Sequence, residues 1–113
     1  MARQYRLIAL SNPVEGREQD FNDWYDKIHI PQIMATPGFT AAQRFKLTQP
    51  LGPQSENFQY LTVYEAETDD FGAMLGALAE AAETGKLTPS DAADKQNHTA
   101  FYEVHTERVE AKD

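Results

Sequence analysis

The order in which hydrophobic periods follow one another limits this chain more than any other feature. Residues 5–10 are almost continuously apolar, broken only by Arg6 and ended by Ser11-Asn12-Pro13. Such a run predicts a short strand with both faces covered. Phe21, Trp24, Tyr25 and Ile28 then recur at i, i+3, i+4 and i+7, with Asp20, Asp23, Asp26 and Lys27 largely opposite. That spacing predicts an amphipathic helix. Pro31 lacks a backbone donor and crowds the preceding turn, so the helix is expected to kink or end near His29-Ile30. Pro37-Gly38 marks a firm stop. Residues 39–47 alternate loosely and carry charge on one side, as an edge strand does. A polar Gly/Pro loop over residues 50–57 precedes a further strand over residues 58–66. Thr68 or Asp69 is placed to cap a second helix, whose stripe is Phe71, Met74, Leu75, Leu78 and Ala82, and Gly85 is placed to end it. Residues 86–98 read as a polar connection with a short helical turn after Thr88-Pro89, and residues 99–109 as the last strand.

The resulting order, β-α-β-β-α-β, is the split βαβ pattern. Right-handed crossovers put the first and third strands at the centre and both helices on one face. The expected fold is therefore α+β and ferredoxin-like: a four-stranded antiparallel sheet under two helices, in one domain spanning residues 1–113. The uncovered sheet face would carry either Tyr5, Leu7 and Ala9 or their neighbours, with Phe58, Tyr60, Tyr64 and Phe101 beside them. An apolar patch of that size rarely stays in water. A second copy of the same chain is the simplest cover, so a homodimer is expected.

Composition narrows the function classes. A formal net charge of -8 disfavours nucleic acid and anionic membrane surfaces as partners. The 113 residues include no cysteine, which removes disulfides, thiolate metal sites and a cysteine nucleophile together. No stretch approaches transmembrane length, and the opening MARQYRLIALSNP reads as a strand, so a cytoplasmic location is expected. There is no Gly-rich phosphate loop, no G-x-S-x-G, and no H-x-x-x-H or H-x-H spacing. Neither a cofactor nor a metal is expected.

The stretch FNDWYDKIHIPQIMATPGFTAAQRF resembles the dimeric α+β barrel superfamily, and within it the EthD-like group. The shared elements are Trp24-Tyr25 in the first helix, His29, Pro31, and Pro37-Gly38-Phe39 leading into the second strand. The resemblance implies a ferredoxin-like homodimer whose two sheets face each other, with a cleft between sheet and helices in each subunit. Related families in the superfamily include cofactor-free monooxygenases, muconolactone isomerases, polyketide cyclases and haem-degrading enzymes.

Several residues can carry chemistry. His29 lies on the flank of the apolar stripe, one turn after Tyr25 and three positions after Asp26. There it can serve as general acid or base, or cap the broken helix beside Pro31. Tyr25 can orient His29 or hold a substrate oxygen, or simply pack with its hydroxyl at the rim. Asp26 can fix the histidine tautomer or remain a solvated charge. Trp24 fits a pocket wall or the core. Arg44 can pair with an anionic substrate group or with an acidic neighbour. Tyr60 and Tyr64, with Tyr5, suit the lining of an aromatic cavity and suit interface packing equally. His105, in phase with Glu103 and Phe101, is a candidate second histidine or a partner for Glu103. His98 is expected to be exposed. The expected function is a cofactor-independent enzyme acting on a small aromatic or cyclic carbonyl or phenolic compound by acid–base chemistry, whether isomerase, cyclase, lyase or monooxygenase. The alternative is a non-catalytic homodimer that binds a small ligand or assists another enzyme, and haem handling is a third possibility.

Overall fold

The computed structural model describes residues 2–112, so the two ends of the expected domain, residues 1 and 113, lie outside the described residues. Four strands, β1 (Arg3–Ser11), β2 (Phe39–Lys46), β3 (Tyr60–Thr68) and β4 (His98–Glu103), form one antiparallel sheet in the order β2-β3-β1-β4. The first and third strands are central, as the crossover rule demands. The helical layer comprises α1 (Glu18–Trp24), a π-helical segment (Tyr25–His29), α2 (Ile30–Met34) and α3 (Phe71–Glu83). The fold is the ferredoxin-like α+β arrangement. No helix among the described residues is long and apolar enough to cross a membrane.

Strand alternation decides which side chains meet the helices. Tyr5, Leu7 and Ala9 of β1 are buried with Tyr64 and Ala66 of β3, beneath Ile33 and Met74. Phe21, Tyr25, Tyr60 and Ala92 make a second buried group beside them. This corrects the face expected for the tyrosines. Tyr60, Tyr64 and Phe101 turn toward the helices, so the uncovered face carries Ile8 and Leu10 of β1, Leu61 and Val63 of β3, Phe45 and Tyr102. Phe45 is 44% exposed and Tyr102 52%, so the patch is substantial. An Arg6–Glu65 ion pair at 3.5 Å lies on the same face.

Other boundaries also shift. Asp70, not Thr68 or Asp69, caps α3, its carboxylate accepting a hydrogen bond from the Ala73 backbone N–H at 3.0 Å. Thr68 instead accepts from the Asp70 N–H and shapes the turn before it. Along α3 the stripe runs through Phe71, Met74, Leu78 and Ala81, whereas Leu75 is 42% exposed. Gly38 adopts φ 102°, and a Cβ there would lie 3.0 Å from Met74 Cε. Only glycine allows the chain to turn into β2 that close to α3. After Thr88-Pro89 a single turn closes as expected, the Ala93 N–H donating to the Ser90 carbonyl at 3.4 Å, and β4 ends at Glu103, short of the expected residue 109.

Candidate functional site

The first helix does not stop at Pro31. It widens. The Ile30 N–H donates to the Tyr25 carbonyl, five residues back, and α2 then continues to Met34 with Pro31 in its first turn. Regular α geometry would aim the Pro31 nitrogen, which has no hydrogen, at the carbonyl four residues earlier. The π turn absorbs that misfit over Tyr25–His29. It also changes which side chains meet. In an α-helix residues five apart point in different directions; in a π turn i and i+5 are hydrogen-bonded neighbours. Trp24 and His29 consequently stack, with ring centroids 4.4 Å apart and an interplanar angle of 21°. Tyr25 meets the same imidazole edge-on at 5.0 Å.

These rings wall a cavity of about 510 Å³ between the helices and the sheet. Leu7 and Ala9 form its floor, Ile33, Leu78 and Phe101 line its apolar sides, and the exposed Asp94, Asn97 and Thr99 stand at its rim. Three polar atoms in the wall are buried without a partner in the protein: Ser11 Oγ, His29 Nδ1 and Tyr64 Oη. Leaving such a group unpaired costs roughly 1–3 kcal/mol, and all three belong to residues around this one hollow. Burial lowers the His29 pKa to about 4, which leaves the imidazole neutral at physiological pH. Burial, and after it the neighbouring Tyr25 phenol, pushes Tyr64 well above the ordinary phenol range. Tyr64 therefore keeps its proton, with the Tyr25 phenol beside it.

The remaining predicted residues fall elsewhere. Asp26 does not orient His29: it is exposed and accepts a hydrogen bond from Arg44 at 2.9 Å. Arg44 does not line the cavity. Its guanidinium donates to Asn22 at 2.8 Å and lies over the rings of Tyr25, Phe21 and Tyr60 at 4.6, 5.6 and 5.2 Å. Such cation–π packing supports the helix from the far side of Tyr25. Tyr60 belongs to this second group, its hydroxyl donating to Glu18 and accepting from Asn22. The Tyr60 hydrogen bond and then the Lys46 ammonium hold the Glu18 carboxylate below its usual range. His105 lies beyond the end of β4, exposed beside Arg3 and Arg6 in a different surface depression, and Glu103 pairs with Arg3 instead. The structure thus gathers Trp24, Tyr25, His29 and Tyr64, and leaves Asp26, Arg44, Tyr60 and His105 outside.

Sequence reasoning missed Ser11, whose Ser-Asn-Pro context reads as a turn. The signal was present in the two-residue alternation Tyr5, Leu7, Ala9, Ser11, which continues to the strand's end. It also missed the role of residues 84–97 as a wall. Thr88 fastens this segment to the helix: its carbonyl accepts from Trp24 Nε1 at 2.8 Å, its N–H donates to Gln32 at 2.7 Å, and its hydroxyl accepts from Gln32 Nε2 at 2.9 Å.

Comparison with solved structures gives the same fold across the whole chain. A candidate monooxygenase from Shewanella loihica PV-4 is 14% identical, with a TM-score of 0.64, over 94% of this chain and 98% of its own. An EthD-like protein from Ralstonia eutropha JMP134 is 17% identical, with a TM-score of 0.60, over 94% and 96%. MhuD, in a mutant form with two manganese protoporphyrin IX molecules bound per active site, is 16% identical, with a TM-score of 0.60, over 96% and 99%. At these identities the likeness establishes the fold, which is the one the EthD resemblance implied. No curated protein matches the sequence. The sequence does match the family described as a domain of unknown function (DUF4286), over residues 14–112. With nearly its full length inside that match, the chain belongs to the DUF4286 family.

Proposed function

We propose that the protein is a cofactor-independent enzyme that moves a proton on a small aromatic or cyclic carbonyl or phenolic compound. The observation that carries this reading is His29, a neutral imidazole in the wall of an apolar cavity with Nδ1 buried and uncommitted. A neutral imidazole is a base in its ready form. In this scheme Nδ1 takes the proton from a carbon next to the substrate carbonyl, or from a phenolic hydroxyl. Negative charge then develops on the substrate oxygen, where the Tyr64 hydroxyl donates a hydrogen bond to it. The imidazolium so formed is stabilised by that same charge, which offsets the low proton affinity of the unliganded site. Returning the proton to a different atom completes an isomerisation. Trp24 and Tyr25 hold the ring by packing. EthD proteins and a candidate monooxygenase sharing the fold support an enzyme reading, and the porphyrin-bound MhuD supports a ligand-binding one.

The test compares wild type with His29→Ala and His29→Gln on a panel of cyclic ketones, lactones and phenols, following products by mass spectrometry and binding by NMR. Turnover should fall on the order of a hundredfold in both variants, while affinity changes little. Variants that turn over as fast as wild type would remove the proton-transfer role. Retained binding with no turnover in any protein, wild type included, would favour a second reading, a non-catalytic ligand carrier. That reading draws on the three unpaired hydrogen-bonding atoms, which serve recognition equally well.

The proposed working unit is a homodimer, joined through the uncovered sheet face. Ile8, Leu10, Leu61, Val63 and Phe45 form an apolar surface there for which a second copy is the simplest cover.

A further inference from the structure

Resting on the reading above, we propose that the substrate is an uncharged molecule with oxygen functions on an apolar ring body, and that the cavity rejects carboxylates and other anions. Among the residues that line the cavity there is no lysine and no arginine. The nearest candidate cation, Arg44, is not in the lining; its guanidinium is bound to Asp26 and Asn22 and lies over three aromatic rings, with its charge felt at Tyr64. The imidazole of His29 adds no positive charge near neutral pH. The one ionisable group at the rim is Asp94, an acid, and the chain as a whole carries -8. An anion would lose its hydration on entry, pass a carboxylate, and meet no lysine or arginine in the lining; poorly paired charges in such surroundings are strongly penalised.

The unpaired polar atoms of the lining residues are of a kind that suits neutral oxygens. Tyr64 is 1% exposed and Ser11 7%, so neither hydroxyl can turn to bulk water for its hydrogen bond. A phenol or tyrosyl-type donor meets a carbonyl well, and an unpaired imidazole nitrogen meets a hydroxyl equally well. The walls of Leu7, Ala9, Ile33, Leu78 and Phe101 accept a flat hydrocarbon body. A cavity of about 510 Å³ holds a two-ring compound with room for substituents. The class indicated is therefore the neutral ketone, quinone, lactone or phenol. Ring acids, and molecules whose recognition depends on carboxylates, are excluded from it.

A matched pair of probes tests this directly: 6-acetyl-2-naphthol, neutral at pH 7, and 6-hydroxy-2-naphthoic acid, which is ionised. Both are titrated into the full-length protein by calorimetry, with backbone and Trp24 indole NMR signals followed in parallel. The neutral probe should bind at least tenfold more tightly and shift the signals of Ser11, Trp24 and His29. Tyr64→Phe should weaken the neutral probe about fivefold and leave the acid's affinity where it was. If the acid binds as tightly as the neutral probe and shifts the same signals, the charge selectivity is wrong while the acid–base reading survives. If neither probe shifts the cavity signals at millimolar concentration, both fall. Should Tyr64→Phe fail to fold, Ser11→Ala and the wild-type shift map decide between these outcomes.

Discussion

His29 shows how one buried ring sets measurable properties. Its proton affinity in the folded chain is that of a group with pKa about 4, against about 6.5 in an unfolded chain. The folded state therefore resists the charged form. Its contribution to stability is complete above about pH 6.5 and is lost as pH falls from there toward 4, at a cost of about 2 kcal/mol once its partial exposure is allowed for. Chemical denaturation at several pH values should show this slope in wild type and a flatter one in His29→Gln. Under the proposed mechanism the same value governs the rate. kcat/KM should stay level from neutrality to about pH 5 and fall tenfold per pH unit below about 4; an acid limb near 6.5 would mean an exposed, ordinary histidine. Trp24 and Tyr25 were legible because the apolar stripe brings them to the core side; His29 stood out chiefly through the EthD-like pattern rather than through its spacing. Asp26 was misread because its partner, Arg44, comes from a strand 18 residues away, a pairing that local spacing does not reveal.

Among the elements, the widened turn over Tyr25–His29 is the part least visible in the sequence. Pro31 announces a disturbance, but whether a helix breaks or expands depends on what holds its far end. Here α2 stays attached through Ile33 in the core and through Gln32 to Thr88. Trp24 is held from two sides, by the Thr88 carbonyl and by the imidazole it covers. Trp24→Ala should remove both and open His29 to water. An NMR titration should then find the His29 pKa moved from about 4 toward 6.5. A value unchanged by the substitution would show that the sheet, not the indole, keeps the ring dry. The cap of α3 behaves more simply. Asp70→Ala removes one hydrogen bond to the helix start and should cost about 1 kcal/mol in denaturant unfolding.

For the molecule as a whole, the strand order followed from alternating helix and strand periods together with the handedness rule, and the structure has that order. Which face of the sheet points inward did not follow. In β3 both Tyr60-Thr62-Tyr64 and Leu61-Val63 are plausible core sets, and a shift of one residue exchanges them. The structure buries the tyrosines' set and turns the aliphatic pair outward, which leaves hydrocarbon on the uncovered surface. By two-fold symmetry a charge placed there appears twice in a dimer contact. Val63→Lys should therefore give a monomer at micromolar concentration by sedimentation, where wild type should sediment as a dimer. Wild type running as a monomer would remove the dimer from the proposal.

The chain has a single tryptophan, and it is the one lying against the imidazole. An imidazolium drains the excited state of an indole far more efficiently than the neutral ring does. Emission from the unlabelled protein should accordingly dim as acid is added through the range where His29 gains its proton, and change again when a guest displaces solvent beside it. The molecule comes equipped with an optical gauge of its own most reactive candidate.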